Sequence, residues 1–404
     1  MINVIGLGYI GLPTALMLAA NGNNVVGTDY NKDLVKTLKE GHLTFEEKGL
    51  KELFKIANSS GIQFLEQYVD ADMFIVTVPT PYEKENKKID PNYLINAVRD
   101  VMNICKKGTI LIIESTVSPG TIDKYIRPII EKNNFIIGDD IHLVHAPERI
   151  LPGNMIYELE HNSRTIGADS PIIGEKVKEV YSTFCKSEII VTDIRTAEMT
   201  KVVENTYRDI NIAFANELTK ICRSDNMDIY EIIKIANMHP RVNILNPGPG
   251  VGGHCISVDP WFLVGDYPGL TNIILTAREI NDSMPGHVLE RIKTIMKEKG
   301  ISDTSRVGLY GLTYKQDVDD IRESPTLQLL EVMQNHLAPA LKVYDPMVSK
   351  KVVENQYFDF EEFVNDTDLV VVMVSHSHIK SNLAALKEKV VLDTQNIIES
   401  AYKL

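Results

Sequence analysis

Short apolar runs alternate with longer amphipathic stretches along the chain, and this alternation is typical of α/β proteins with a parallel sheet. The first apolar run is residues 2–5 (INVI), and the stretch PTALMLAANG, which begins at Pro13, predicts a helix. The run NVVGTD, which ends at Asp29, predicts a second strand. The chain therefore opens with a predicted strand–helix–strand unit.

Three further apolar runs in the N-terminal half predict strands that end in polar or proline-rich loops, at residues 72–81, 109–120 and 141–153. In open parallel sheets the ligand lies outside the carboxyl ends of the strands. Thr80, Thr116 and Glu148 occupy such ends, and ordinary loop capping is the competing interpretation for each of them. A carboxylate at a strand end, between Pro147 and Arg149, is well placed to act as a general base.

A long helix is predicted over residues 194–223, which contain neither glycine nor proline. Lys201 and Asn205 are four residues apart, so they share one face of this helix. A lysine and an amide in this arrangement can hold an oxyanion or a water molecule, whereas the alternative is a solvated helix face. So long a helix is also suited to linking domains or to pairing with a second subunit.

Beyond this helix the strand–helix alternation restarts near Gly300, after helical segments near 228–238 and 270–299. Four strands with intervening helices, one of them at 324–336, are predicted in this region, at residues 306–315, 341–346, 369–376 and 390–394. The region lacks a GxGxxG motif, so it need not bind a dinucleotide as the first unit would.

The first strand–helix–strand unit carries the dinucleotide-binding fingerprint. Gly6, Gly8 and Gly11 form GxGxxG between the first strand and the helix, and Asp29 ends the second strand. The glycines permit the tight turn, the approach of the pyrophosphate and close helix–strand packing. The Asp29 carboxylate can accept from a ribose 2′-hydroxyl and would repel a 2′-phosphate, which favours NAD over NADP.

Composition narrows the class of protein further. The chain has 404 residues, with 44% hydrophobic and 24% charged residues, which is ordinary for a globular protein of two or three domains. A net charge of -13 argues against nucleic-acid binding. The four cysteines are widely spaced, so neither a zinc or other metal site nor a disulfide framework is indicated. The apolar run from Tyr9 to Ala20 is too short to span a membrane, and we expect a soluble, cytoplasmic protein.

The sequence GPGVGGHCISVDPW, residues 248–261, combines a glycine-rich turn with His254, Cys255 and Asp259. Glycines allow the backbone to come close to a ligand, and a cysteine beyond such a turn can present its sulfur to a substrate. The competing interpretation is a small cysteine buried in a tight turn.

An NAD domain combined with a nucleophilic cysteine indicates a four-electron oxidation of a primary alcohol to a carboxylate, because a simple alcohol dehydrogenase has no use for the thiol. Lys201 and Asn205 would then stabilise a negative oxygen. Asp259 or Glu148 would position or deprotonate water, and the sequence does not choose between them. Two other functions remain open, a two-electron hydroxy-acid dehydrogenase and a non-enzymatic nucleotide sensor.

Five motifs in order, spread over essentially the whole chain, resemble the UDP-sugar 6-dehydrogenases of the UDP-glucose/GDP-mannose dehydrogenase family: ESTVSPG, APERILPG, EMTKVVENTYRDINIAFANE, GVGGHCISVDPW and GLTYKQDVDDIRESP. The resemblance implies an α/β fold of two Rossmann-like doubly wound domains, joined by a long central helix and a helical middle domain. The implied domains are residues 1–193 for NAD, 194–299 for dimerisation and the catalytic cysteine, and 300–404 for the UDP-sugar. It also implies a homodimer or a dimer-based oligomer.

The resemblance also assigns roles to individual residues. The implied catalytic residues are Cys255, Lys201, Asn205, Asp259, Glu148 and Thr116. With the fingerprint, the implied cofactor-binding residues are Gly6, Gly8, Tyr9, Ile10, Gly11, Asp29, Thr80, Thr116 and Arg322. The implied substrate-binding residues are Glu148, Arg149, Lys201, Asn205, Arg208, Arg241, Gly252, His254 and Lys315, with Arg241 reaching the sugar of the neighbouring subunit.

The motifs also indicate which sugar the resemblance favours as substrate. UDP-glucose enzymes usually carry a serine where this chain has His254, and a second glutamate where it has Pro152. His254, Arg149 and Arg208 resemble the branch that oxidises N-acetylhexosamines. Within that branch, VDPWFL and RDINIAFANEL favour UDP-N-acetylmannosamine over its C2 epimer, UDP-N-acetylglucosamine, and this last step rests on resemblance alone.

Overall fold

The structure, a computed structural model, describes residues 1–253, 255–334 and 341–404. The chain divides into two compact units, Met1–Glu204 and Asn205–Leu404. Each unit has its own sheet and its own apolar core.

The first unit is built on an eight-stranded sheet in the order β3-β2-β1-β4-β5-β6-β7-β8. Its strands are β1 (Ile2–Ile5), β2 (Val25–Thr28), β3 (Gln63–Leu65), β4 (Met73–Val76), β5 (Thr109–Ile113), β6 (Ile141–His145), β7 (Arg164–Ala168) and β8 (Ile189–Thr192). Neighbouring strands are parallel except for the antiparallel pair β6–β7. Every residue of β1, β2, β4 and β5 is buried, which is the continuous apolar run expected of strands covered by helices on both faces.

Seven helices accompany this sheet, and an eighth starts in the first unit and ends in the second. They are α1 (Gly11–Ala20), α2 (Lys32–Lys39), α3 (Leu50–Ser59), α4 (Asn92–Met102), α5 (Arg127–Lys132), α6 (Met155–His161), α7 (Pro171–Tyr181) and the 31-residue α8 (Ile194–Ser224). A π-helical turn, Ile122–Ile126, leads into α5. The strand order turns back between β1 and β4, and the crevice at such a point is where parallel sheets bind nucleotides.

The second unit begins within α8 and contains a six-stranded parallel sheet in the order β11-β10-β9-β12-β13-β14. The strands are β9 (Val307–Tyr310), β10 (Lys342–Tyr344), β11 (Gln356–Tyr357), β12 (Leu369–Val372), β13 (Val390–Asp393) and β14 (Tyr402–Lys403). The helices are α9 (Ile229–Ala236), α10 (Asp259–Asp266), α11 (Asn272–Asp282), α12 (Met284–Lys299), α13 (Pro325–Gln334), α14 (Phe360–Asn365) and α15 (Ser377–Ser381).

These sheets confirm the predicted fold class of two doubly wound α/β units, and α8 is the predicted long central helix. One predicted helix differs, because the segment 270–299 is divided into α11 and α12 at Ser283. Pro285 is the reason: its ring nitrogen has no N–H, so it is tolerated in a first helical turn but not within a continuous helix. The predicted end of the helix 324–336 lies outside the described residues.

Candidate active site

The glycine loop after β1 has the shape that the dinucleotide fingerprint predicts. Gly6 has φ +91°, and a Cβ on Gly11 would lie 1.8 Å from the Gly6 carbonyl oxygen, so both positions require glycine. Thr77, at the end of β4, donates from Oγ1 to the Gly6 carbonyl at 2.6 Å. By contrast, a Cβ on Gly8 would meet no described atom within 4 Å. The loop thus leaves open space at Gly8, where a pyrophosphate would lie.

Asp29 lies beside this loop, at the end of β2. Its Oδ2 accepts from the backbone N–H of Leu7 at 2.7 Å, and its Oδ1 accepts from the N–H of Asn31 at 2.9 Å. An ionised carboxylate has about four acceptor positions, so the half-buried side chain can still accept from ribose hydroxyls. Tyr9 and Ile10 lead into α1, with the Tyr9 ring 4.5 Å from that of Phe45. These residues fit a dinucleotide.

The structure brings Thr80 and Thr116 together at the ends of β4 and β5. The buried Thr80 donates from Oγ1 to the carbonyl oxygen of Thr116 at 2.6 Å. Ser115 donates to the carbonyl of Val78 at 2.7 Å and ties the same two loops. Because β4 and β5 are parallel neighbours, their carboxyl ends share one edge of the sheet, and the Thr116 side chain is half-buried there.

Glu148 is buried and forms an ion pair with a residue that the sequence did not suggest, Arg164. One carboxylate oxygen of Glu148 also accepts from the backbone N–H of Arg149 at 2.6 Å. Arg164 lies 3.2 Å from a second buried carboxylate, Glu114, and 4.3 Å from the centre of the Tyr181 ring. Burial raises the pKa of Glu114, and the Arg164 guanidinium opposes that shift. A single buried cation therefore faces two carboxylates next to the predicted site.

Arg149 binds protein groups of its own unit. It donates to the carbonyl of Ser163 at 2.9 Å and to Oγ1 of Thr165 at 2.9 Å, and it lies 2.9 Å from a carboxylate oxygen of Glu204. A substrate that binds Arg149 as predicted would therefore have to share its guanidinium with these protein partners. Lys201 is buried in α8.

In the second unit, the structure joins two predicted catalytic residues. Asn205 donates from Nδ2 to Oδ2 of Asp259 at 2.6 Å, and both side chains are buried. Asp259 is the first residue of α10, and its backbone N–H donates to the carbonyl of Cys255 at 2.9 Å. Cys255 is half-buried and belongs to no disulfide of the described residues. The predicted residue His254 lies outside the described residues.

The glycines before Cys255 pack closely against protein. A Cβ on Gly252 would lie 2.6 Å from Cβ of Tyr314 and 2.6 Å from the Glu323 carbonyl oxygen. Gly253 has φ +86°, and its Cβ would lie 2.8 Å from the Tyr314 ring. Its N–H donates to the carbonyl of Arg322 at 2.9 Å. Close contact with neighbouring loops is thus one reason for glycine at these two positions, and the approach of a ligand to the turn remains a prediction.

A cavity of about 300 Å³ lies within the second unit, at the carboxyl ends of β9 and β12. Its volume is at the lower end of the range for small-molecule sites. The lining includes the loop Gly248–Pro249–Gly250 and the predicted substrate residue Lys315, with Thr313, Ser375 and Gln395. Lys315 supplies a cation to this wall, as an anionic nucleotide would require.

The remaining predicted arginines lie in three different environments. The Arg322 guanidinium binds both carboxylate oxygens of the buried Asp320, with contacts of 2.6–3.1 Å. Arg208 is exposed on α8, and Arg241 is exposed after α9. Among the helices of the described residues, none has the length and apolar character needed to cross a bilayer.

Three family models match consecutive parts of the chain. Residues 1–185 match the NAD binding domain of the UDP-glucose/GDP-mannose dehydrogenase family, residues 195–283 its central domain, and residues 308–400 its UDP binding domain. The cofactor of this chain is accordingly NAD.

Individual relatives agree over nearly the full length. The chain is 42% identical to the UDP-N-acetyl-D-mannosamine dehydrogenase of Methanococcus maripaludis, over 98% of this chain and 92% of that protein. The UDP-N-acetyl-mannosamine dehydrogenase structure from Staphylococcus aureus has a TM-score of 0.88 and 43% identity, covering 99% of this chain and 95% of that one. The corresponding Pyrococcus horikoshii structure has a TM-score of 0.92 and 34% identity, covering 99% and 96%. The chain belongs to the UDP-glucose/GDP-mannose dehydrogenase family.

Proposed function

We propose that this chain catalyses the NAD-dependent oxidation of C6 of UDP-N-acetyl-D-mannosamine to UDP-N-acetyl-D-mannosaminuronate. The observation that carries the reaction type is the position of the Cys255 thiol, one helical turn before the buried Asp259–Asn205 pair in an NAD-binding chain. The sugar rests on the names of the relatives that match along the whole chain. We also propose the division into residues 1–193 for NAD, 194–299 for the centre and 300–404 for the UDP-sugar.

NAD, when bound, accepts one hydride in each of two successive oxidations, so that each sugar reduces two NAD. Between them, the Cys255 sulfur adds to the C6 aldehyde, and the thiol proton passes to the carbonyl oxygen to give a thiohemiacetal. Loss of a hydride and a proton leaves a thioester on Cys255. Water then breaks the carbon–sulfur bond, its oxygen stays on C6, and the thiol is restored. Each sugar thus consumes one water and releases three protons.

Lys201 and Asn205 are proposed to stabilise the negative oxygen that develops at C6. An amide carries two N–H donors, so Asn205 can donate one to Asp259 and offer the other to the substrate. Loss of one such donor typically costs about 3–4 kcal/mol in the transition state. Between the two candidate carboxylates, Asp259 is our choice for activating water, because it lies one helical turn after Cys255 and its backbone N–H donates to the Cys255 carbonyl at 2.9 Å. The oxygens of Glu148 are already engaged by Arg164 and by the Arg149 N–H, which suits a positioning role.

For the cofactor, we propose that Gly6, Gly8, Gly11 and the start of α1 hold the pyrophosphate and that Asp29 holds the adenine ribose. The open space at Gly8 and the remaining acceptor positions of Asp29 support this assignment. Thr80 and Thr116 are proposed to border the nicotinamide end, because they follow the strands beside the switch point.

A homodimer is the proposed assembly. Tyr207, Phe214 and Ile221 are large exposed side chains spaced seven residues apart on α8, which gives one apolar stripe along the helix. The exposed Arg241 would then serve the sugar site of the second copy. Light scattering should give a dimer for the wild type, and Phe214→Glu should shift it toward the monomer.

We further propose a cytoplasmic location, where a reducing environment keeps Cys255 a thiol.

The test supplies purified enzyme with limiting UDP-N-acetylmannosamine and excess NAD, and counts NADH per sugar. Two NADH per sugar, with UDP-N-acetylglucosamine and UDP-glucose inert, is the expected result. One NADH would mean that oxidation stops at the aldehyde, and activity on UDP-N-acetylglucosamine alone would overturn the sugar assignment.

A matched pair of variants tests the covalent step. Cys255→Ala should bind NAD but form no acid, whereas Cys105→Ala, which changes another half-buried cysteine, should keep full activity. Acid formation by Cys255→Ala at the wild-type rate would refute the thioester.

A further inference from the structure

Residues 240–253 connect α9 to the turn that carries Cys255, and all of them are described as neither helix nor strand. Backbone N–H and C=O groups outside regular structure still need hydrogen-bond partners. In the part of this segment that runs from Asn243 to Gly248, asparagine side chains of neighbouring helices supply several of those partners.

Asn211 and Asn237 each bind the segment through both ends of the amide group. Asn211, on α8, donates to the carbonyl of Asn243 at 2.8 Å and accepts from the N–H of Leu245 at 2.9 Å. Asn237, which follows α9, donates to the carbonyl of Ile244 at 2.9 Å and accepts from the N–H of the same residue at 2.7 Å. Three consecutive residues are thereby held from two helices.

Asn216 extends the same arrangement to Gly248. This fully buried side chain accepts from the Gly248 N–H at 2.9 Å and donates to Oδ1 of Asn281 at 2.8 Å. Asn281 in turn donates to Oδ1 of Asp209 at 2.8 Å, and Asp209 forms a buried ion pair with Arg278 at 2.6 Å. The position of Gly248 is therefore tied to a polar chain that runs through the interior of the second unit.

Asparagine suits this role because one short side chain offers an acceptor and donors in a fixed plane. It can satisfy a backbone carbonyl and a backbone N–H at once, much as a neighbouring strand would. Alanine would leave both unpaired, and aspartate would place a carboxylate oxygen against a carbonyl oxygen.

We infer that Asn211, Asn216 and Asn237 are positioning residues for the nucleotide-sugar site, acting through the backbone of residues 243–250. The segment that they hold supplies Asn246, Gly248, Pro249 and Gly250 to the cavity that Lys315 also lines. Fixing these backbone atoms before binding removes an ordering cost that the ligand would otherwise have to offset. The identity of the ligand rests on the proposed function, whereas the role of the asparagines does not depend on which sugar is attached.

Asn211→Ala and Asn237→Ala are the test variants, because both side chains are partly accessible and their loss leaves the buried Asn216 chain intact. Each should weaken UDP binding, measured by titration calorimetry, by about tenfold, and should raise KM for the UDP-sugar similarly. KM for NAD should stay within twofold, because the glycine loop and Asp29, which are proposed to hold the pyrophosphate and the adenine ribose, lie in the first unit, and kcat should fall less than KM rises. Asn382→Ala is the matched control, since Asn382 donates to the His378 carbonyl at 2.8 Å in the same unit but outside this segment.

The inference would be overturned if both variants kept the wild-type UDP affinity while their melting temperatures fell as in the control. That result would mean that the asparagines only stabilise the fold. If the wild type binds UDP and the variants bind it tenfold more weakly, the inference stands even when UDP-N-acetylmannosamine is not oxidised. That outcome would instead refute the proposed substrate.

Discussion

Acid should destabilise the first unit through one buried histidine, His145. It is the last residue of β6, three positions before Glu148, and it is fully buried. Its Nδ1 lies 2.8 Å from the carbonyl oxygen of Ile113, so the neutral ring carries its proton on Nδ1. Burial lowers the pKa of His145 from 6.5 to about 4, because a charged imidazolium loses its hydration there.

The size of the effect follows from this difference in pKa. The unfolded chain takes up the proton near pH 6.5 and the folded chain only near pH 4, so the stabilisation is present above pH 6.5 and is lost as the pH falls toward 4. Each pH unit of fall within that interval lowers the free energy of unfolding by about 1.4 kcal/mol, which gives about 3 kcal/mol in total. Between pH 7.5 and 5.5 the expected loss is about 1.3 kcal/mol, or about 3–5 °C in melting temperature.

The assay is scanning calorimetry of wild type and His145→Asn at pH 7.5 and 5.5. Asparagine keeps a donor for the Ile113 carbonyl but does not titrate, so its melting temperature should fall by about 3–5 °C less than that of the wild type. His161→Asn is the control, because the exposed His161 also places Nδ1 near a carbonyl, that of Tyr157, at 2.9 Å. Equal pH dependence of wild type and His145→Asn would refute the reasoning.

The glycine loop, the turn before Cys255 and the buried Arg278–Asp209 ion pair give three further predictions. Gly8→Ala should leave the melting temperature within about 1 °C of the wild-type value but raise KM for NAD at least about tenfold. Gly11→Ala should raise KM for NAD and also lower the melting temperature, because its methyl group meets a backbone oxygen. Gly252→Ala should lower both the melting temperature and the activity, and unchanged values would mean that the neighbouring loops yield easily. Arg278→Met should cost about 3–5 kcal/mol in chemical denaturation, and adding Asp209→Leu should recover part of that loss.

Local signals in the sequence were sufficient to predict the strand–helix framework and the dinucleotide loop. Gly6, Gly11 and Asp29 could be predicted because their roles depend on neighbours only a few residues away, or on the next strand of the same unit. The ends of β4 and β5 were predictable for a similar reason, since parallel strands present their carboxyl ends at one edge. The pairing of Thr80 with Thr116 follows from that geometry.

The partners of the buried charges could not be predicted in this way. Arg164 lies 16 residues after Glu148 and 50 after Glu114, and it reaches Glu148 only because β7 pairs antiparallel with β6. Its sequence context, SRTIGA, reads as an ordinary strand start. Likewise, Gly252 and Gly253 are next to Tyr314 only through tertiary packing, so their reason for being glycine cannot be derived from the turn itself.

The sequence of α8 also carries a signal in the spacing of its polar residues. Four of its buried polar residues, Glu198, Asn205, Asp209 and Asn216, recur at intervals of seven, four and seven, which at about 100° per residue places them within about 40° on one face. Buried polar groups must find hydrogen-bond partners. Glu198 accepts from the N–H of Gly120 at 2.6 Å in the first unit, and the other three bind groups of the second unit.

The opposite face of α8 carries the exposed apolar residues Tyr207, Phe214 and Ile221. At these positions the helix is polar where it is buried and apolar where it is exposed, the reverse of an ordinary surface helix. An exposed apolar stripe indicates a surface that binds a partner. A buried polar stripe needs hydrogen-bond partners, which neighbouring loops can supply. The apolar residues of α8 therefore do not by themselves mark its buried face, since Val202 is buried whereas Phe214 and Ile221 are exposed. A better criterion for the buried face is the one on which amide and carboxylate side chains recur at helical spacing. These side chains bind the loops on which the proposed site is built.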